Sequence, residues 1–155
     1  MRNTATANAA QEVAEALGRL LSDTYVLYVK TQNYHWNLVD PRFSSLHKLF
    51  EGQYEELAEA IDEIAERIRM IGYKAPGSLR GFLAHTQLEE SEEEVDGDVM
   101  VDQLLSDHET VIRSLRKQVP EAQSRGDEGS ADLMIQRLRA HEKAAWMLRS
   151  TRSIS

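Results

Sequence analysis

The 155-residue chain contains no cysteine. That absence excludes disulfides, thiolate metal sites and cysteine nucleophiles, and it leaves the redox compartment open. Proline occurs at only three positions, so little interrupts long helices. No apolar run approaches the roughly 20 residues that span a bilayer, and Met1 to Ala10 lacks the apolar stretch of a secretory leader. The expectation is a soluble, cytoplasmic protein. Positive charge is scarce: 18 Lys and Arg against 26 Asp and Glu leave a net charge of −8. A chain that holds nucleic acid through its overall charge needs the opposite balance. An acidic surface suits the gathering of cations, although solvated acidic surfaces are ordinary. Gly-rich phosphate loops, strand-like alternation, internal repeats and low-complexity tracts are also absent.

What is present is helical periodicity. Val13, Leu17, Leu20, Leu21, Leu27, Tyr28 and Tyr34 recur at helical spacing and predict a first helix over about Asn8 to Trp36. Asp40-Pro41 breaks it. Phe43, Leu46, Phe50, Tyr54, Leu57, Ile61, Ile64, Ile68 and Ile71 predict the buried face of a second helix, with Gly72 as its stop. After a loop containing Ala75-Pro76-Gly77-Ser78, a short helix is expected from Ser78 to His85. Glu89 to Asp98 reads as an acidic linker. A third long helix is expected over Val99 to Val119, ending near Pro120, and a fourth over Ala131 to Arg149, after a turn at residues 126–130. The expectation is an all-α, single-domain four-helix bundle with a long middle crossover carrying a short extra helix. Residues 1–8 read as a short flexible N-terminal tail.

The second helix carries the most informative spacing. His47 lies near its start, and Asp62 and Glu66 lie further along, four apart and so on one face. Fifteen residues separate His47 from Asp62, about 22 Å along a helix. One chain cannot bring these groups to a common metal. Two copies of the helix, packed antiparallel about a two-fold axis near Tyr54 and Glu55, place residue 47 of one opposite residue 62 of the other. His35 closes the first helix, and Glu51 follows His47 by one turn. One subunit then offers His35, His47 and Glu51, and its partner offers Asp62 and Glu66. Imidazole with carboxylate suits iron or another first-row divalent ion. The competing readings are plain: solvated carboxylates, with Glu63 and Arg67 as an ion pair; a hydrogen-bonded histidine at a helix end; and a satisfied core histidine. No Glu is followed three positions later by His, so a di-iron centre enclosed within one bundle by Glu-x-x-His pairs is not expected.

Tyr34-His35-Trp36-Asn37, Phe43-x-x-Leu46-His47 and Asp62-Glu63-Ile64-Ala65-Glu66-Arg67-Ile68 together resemble the Dps family of miniferritins. The intervals of twelve, fifteen and four between His35, His47, Asp62 and Glu66 are similar to those of that family's ferroxidase ligands. The likeness continues through Ala75-Pro76-Gly77-Ser78 to Trp146-Met147. It implies a ferritin-like dodecamer built from two-fold dimers, with a two-iron ferroxidase site shared across each dimer interface. Fe(II) is oxidised there, with hydrogen peroxide as the expected oxidant, and the ferric mineral is stored inside. By this likeness Glu51 is a further acidic ligand. Trp36 is either an electron donor that quenches a reactive oxidant or a packing residue. Asp127, Glu128 and Asp132 look like the acidic lining of three-fold pores, against the ordinary preference of acidic residues for a helix's first turn. Lys48 and Gly52 stand where some members carry acidic nucleation residues.

The alternative function is that of a nucleoid protein that condenses DNA, with secondary iron chemistry. Met1 to Ala10 holds only Arg2, and the C-terminal end adds Arg149 and Arg152, so DNA binding is expected to be weak or absent. His85, His108 and His141 match no ligand position; His108, between Asp107 and Glu109, is the best of them for an accessory metal.

Overall fold

Apolar stripes on four long helices can be buried only against one another, and that need sets the architecture. The computed structural model describes residues 4–152. The helices are α1 (Thr4–Asn37), α2 (Phe43–Met70), α3 (Leu79–His85), α4 (Gly97–Ser124) and α5 (Glu128–Ser150), with no strand among the described residues. Leu17, Leu21, Leu27, Tyr34, Phe50, Leu57, Ile64, Ile68, Leu104, Leu115 and Met134 meet at the centre of the bundle, each less than 2 % exposed.

Cross-links fix the directions. Tyr28 meets Tyr54 and His35 meets His47, so α1 and α2 are antiparallel. Lys30 pairs with Asp107 at 2.9 Å and Arg125 with Glu12, so α4 also opposes α1. Arg67–Asp127, Gln53 to the Ala144 carbonyl and Arg42 to the Thr151 carbonyl set α5 against α2. α2 and α4 therefore run in the same direction, and the chain between them must return the length of the bundle. Buried Asp23 of α1 holds this crossover, accepting from Thr86 Oγ1 at 2.7 Å, the Gln87 amide at 2.8 Å and Gln87 Nε2 at 2.9 Å. Phe82 of α3 stacks on Tyr25 with ring centroids 4.4 Å apart. The expected bundle with a crossover and a short extra helix is the observed fold.

Helix ends differ from the periodicity reading for local reasons. α1 starts at Thr4, so residues 4–8, read as tail, are helical; this Ala-rich segment favours helix, while residues 1–3 lie outside the described residues. α4 starts two residues early because Asp96 caps it by accepting from the Val99 amide. It also runs past Pro120 to Ser124, because Pro120 lies on the exposed face, where the carbonyl deprived of a partner can meet water. α5 starts at Glu128, capped by Asp127, so the expected turn at 126–130 narrows to the residues just before it. At the ends of α2 and α4, Gly72 (φ 97°) and Gly126 (φ 78°) close Schellman motifs: Tyr73 N–H bonds the Ile68 carbonyl and Asp127 N–H the Ala122 carbonyl.

Not all of the stripe on α2 faces the core. Leu46, Phe50, Leu57, Ile64 and Ile68 are buried, but Tyr54, Ile61 and Ile71 are half-buried and Phe43 is exposed. Of nine exposed large hydrophobic side chains among the described residues, seven (Val29, Trp36, Val39, Phe43, Met70, Leu79 and Leu83) belong to α1, α2, α3 or the α1–α2 turn. The α1–α2–α3 side is therefore the one with apolar surface left to bury.

Candidate metal centre

At the close of α1 and the opening of α2 the two chain directions oppose, which brings His35 and His47 ring against ring. Their centroids are 3.7 Å apart and their planes 10° from parallel. His35 Nδ1 donates to the His47 carbonyl at 2.7 Å, and His47 Nδ1 donates to the His35 carbonyl at 2.8 Å. A carbonyl only accepts, so each Nδ1 carries its hydrogen, and the neutral form of each ring has its lone pair on Nε2. This is the arrangement a metal-binding histidine needs: one nitrogen held by the protein, the other turned into a ligand. Phe43 stacks on the far face of His47, centroids 4.7 Å apart, and Tyr54 meets His35 edge-on at 5.2 Å. His35 is buried and His47 half-buried.

Glu51 is half-buried on the same face of α2, close enough to raise the Tyr54 phenol's pKa, although partial burial of the ring is the larger cause. Trp36 is 64 % exposed, and no ring stacks on it among the described residues. Asp62 and Glu66 lie further along α2, both exposed. A hydrogen bond with Asp62, and then the repulsion between the two carboxylates, hold Glu66 above the usual carboxylate range. Two adjacent carboxylates that compete for a proton welcome a cation in its place. Arg67 is not the partner of Glu63, as an isolated-helix reading has it. It reaches across to Asp127 at 2.9 Å and Ser130 Oγ at 3.0 Å on α5.

The chain thus carries two separate groups, a histidine pair where α1 meets α2 and a carboxylate pair well along α2. Among the described residues no three His, Asp or Glu side chains converge on a common point. The acidic cluster at the start of α5 is not uniform. Asp127 caps the helix through the Ser130 amide at 2.9 Å and pairs with Arg67. Burial opposes its ionisation, but Ser130 and Arg67 outweigh that and hold its pKa below the ordinary value. Glu128 and Asp132 remain exposed.

A family model for the ferritin-like domain matches residues 14–153. A DNA protection during starvation protein 2 from Bacillus anthracis is 36 % identical over 140 residues, covering 90 % of this chain and 96 % of that protein. The chain belongs to the Dps family of miniferritins. Its fold agrees: the Dps of Thermosynechococcus elongatus superposes with a TM-score of 0.94 at 28 % identity, over 98 % of this chain and 97 % of that one. The Dps of Vibrio cholerae O1, described as one of a broad superfamily of ferritin-like diiron-carboxylate proteins, gives a TM-score of 0.88 at 34 % identity over 92 % and 90 %. A low temperature-induced protein of Nostoc sp. is 45 % identical over 142 residues, 90 % of this chain and 79 % of that protein. As a Dps-family chain it has the ferritin-like bundle, and among its described residues no helix is long and apolar enough to cross a membrane.

A second histidine pair joins α4 to α5. His108 Nδ1 lies 2.9 Å from His141 Nδ1, and His141 Nε2 lies 3.2 Å from Arg137 Nη2. Both histidines are buried, and Arg137 is ion-paired with Glu56 of α2. Burial, then the nearby Arg137, pushes His108 down to about 3. Burial, then His108 and Arg137, likewise lowers His141 well below the ordinary value. With the two Nδ1 atoms turned to each other and His141 Nε2 turned to a guanidinium, the pair does not suit an accessory metal at His108. Periodicity had no means to reveal it, because its members sit on helices that meet only in the fold.

Proposed function

We propose that two copies of this chain pair along their α1–α2–α3 sides with the α2 helices antiparallel. Each interface then holds two iron sites. At each, His35, His47 and Glu51 of one protomer face the partner's Asp62 and the partner's Glu66. The observation that carries this reading is the reciprocal Nδ1-to-carbonyl bonding of His35 and His47, which leaves two Nε2 lone pairs about 22 Å along α2 from the carboxylate pair. The exposed apolar side chains on the same side favour an interface there.

Fe(II) is the substrate. Two Fe(II) ions and one hydrogen peroxide, with two protons, give two Fe(III) and two water molecules, so no hydroxyl radical is released. The histidines suit Fe(II) and the carboxylates favour the harder ferric product. Trp36, next to His35, supplies an electron when a one-electron oxidant escapes the pair. The ferric product passes into a hollow dodecamer and is stored there as mineral, which protects the cell from iron and peroxide together. Glu128 and Asp132 draw Fe(II) through three-fold openings. Asp127 contributes less because Arg67 already neutralises it. The nucleoid reading is disfavoured: Arg152 is paired with Asp102 at 2.7 Å, which leaves Arg149 as the basic group at that end of the described chain.

The test is to add Fe(II) anaerobically, then peroxide, and to separate the product by size exclusion while following iron and protein. The reading requires ferric iron to co-elute with a shell-sized particle and to be lost in His47→Ala. Unaccelerated oxidation, with iron precipitating apart from the protein, would remove it. Strong retardation of DNA above 150 mM salt would favour the nucleoid function instead.

A further inference from the structure

Between α2 and α5 runs an open groove of about 800 Å³, and neither the shared iron site nor the core accounts for its lining. From Arg42 to Glu56 it follows α2 for roughly 20 Å, with the facing wall made by α5 from Ala140 to Thr151. Leu46, Leu49, Ala140, Ala144 and Met147 make it apolar. Three cations line it: Arg42, Lys48 and Lys143. Among the described residues Glu56 is the one carboxylate in the lining, and Arg137 neutralises it. Lys48 and Lys143 are exposed, one on each wall, and neither is in a salt bridge among the described residues. In a chain with a net charge of −8, a trough bearing unmatched positive charge is a local exception.

Gly52 gives the groove its width. It lies in the interior of α2, where glycine costs about 1 kcal/mol relative to alanine, yet a Cβ there would meet nothing within 4 Å. No packing among the described residues requires the glycine.

A second observation comes from below the apolar lining. Arg137 can only donate, so His141 accepts at Nε2 and carries its hydrogen on Nδ1. His141 Nδ1–H then donates to His108 Nδ1, which places the His108 hydrogen on Nε2. The ion pair on Glu56 thus fixes, through two rings, a donor on His108, whose side chain lines the groove while only 1 % exposed. Among the described residues that Nε2 has no hydrogen-bond partner, and Gln53 Oε1, from another buried lining residue, has none either. Unpaired buried polar atoms are costly, and a ligand oxygen that accepts from His108 Nε2–H would relieve that cost at His108.

We infer that the α2–α5 groove binds a linear aliphatic carboxylate, with its chain along Leu49, Ala144 and Met147 and its negative head held by Lys48 and Lys143 above the His108 donor. Size, apolar walls and a few convergent polar groups are the marks of a small-molecule site, and the sign of the free charge selects an anion. The inference is independent of the iron chemistry.

The experiment is calorimetric titration of the assembled, iron-free protein with dodecanoate below its micelle concentration, with dodecanol and dodecyltrimethylammonium as neutral and cationic counterparts. The expected result is one dodecanoate per chain with a Kd on the order of 10 μM, and both counterparts weaker by about tenfold or more. Gly52→Phe, which fills the groove from a position with open space, and the double variant Lys48→Gln/Lys143→Gln should each weaken dodecanoate by at least about tenfold while eluting at the wild-type size. Should Gly52→Phe disturb assembly, the double-lysine variant decides alone. Three results would overturn the inference: no saturation by 1 mM dodecanoate, equal affinity for the cationic amphiphile, or undiminished binding in the variants. Binding seen only after the assembly is dissociated would also overturn it and assign the groove to a second copy of the chain.

Discussion

His35 and His47 join α1 to α2, and His108 and His141 join α4 to α5, each pair spanning two antiparallel helices. The bonding of the rings separates them. In the first pair every Nδ1–H is spent on a backbone carbonyl, so both Nε2 lone pairs remain for a metal. In the second the rings bond each other and Arg137, and both are buried beside a fixed positive charge. A histidine's neighbours in sequence do not separate these cases: Asp107 and Glu109 flank His108, whose Nε2 carries a hydrogen, while His47 sits between Leu46 and Lys48 and keeps a lone pair there. What decides is which nitrogen the fold consumes.

The comparison can be broken most severely by exchanging losses. In the proposed reading, His47→Ala slows peroxide-driven iron oxidation by about 100-fold or more, since losing even a partner of a metal ligand costs roughly 10–100-fold, and it leaves the urea midpoint nearly unchanged. His108→Ala should do the reverse, keeping the oxidation rate while costing about 2–4 kcal/mol in urea unfolding, because it opens a cavity and leaves the buried His141 Nδ1–H without its partner. If His108→Ala lost activity at unchanged stability, the two pairs would have been assigned the wrong way round.

A pH series sharpens the same contrast. Folding lowers the pKa of His108 from the ordinary 6.5 to about 3 and that of His141 in the same direction. Below 6.5 the unfolded chain therefore binds protons that the folded chain refuses. Their contribution to stability is complete above pH 6.5 and drains as the pH falls toward about 3. Each histidine kept neutral costs about 1.4 kcal/mol per pH unit in that window. Urea midpoints at pH 7, 6 and 5 should fall more steeply in the native protein than in a His108→Leu/His141→Leu variant, and equal slopes would count against the buried pair. The smallest effect concerns the acidic cluster. Asp127→Ala should cost about 1 kcal/mol by removing the cap of α5, while Glu128→Ala leaves the melting temperature unmoved and slows iron uptake.

Much of the fold was legible because helix periodicity and the Asp40-Pro41, Gly72 and Gly126 signals are local. The ends of α4 and α5 were misplaced where a cap decides, at Asp96 and Asp127, and where an exposed face tolerates Pro120. The separation of the two groups was readable for a geometric reason: Asp62 and Glu66 share a turn-to-turn face, and a helix's rise forbids them from meeting His47 in one chain. The Arg67–Asp127 pair, the His108–His141 pair and the Arg137–Glu56 link were not readable, because each depends on α5 packing beside a helix distant in sequence. The groove was hidden for the same reason, with Gly52 as its only trace in the sequence.

The shared site is the central claim, and mixed assemblies of His47→Ala and Asp62→Ala subunits test it most directly. Each variant alone should be inactive. In a randomly mixed 1:1 population half of the dimers are hybrids, and each hybrid rebuilds one of its two sites from an unaltered histidine half and an unaltered carboxylate half. Reassembled shells should therefore recover about one quarter of the native oxidation rate. No recovery in shells verified by mass spectrometry to contain both subunits would contradict a site divided between two chains.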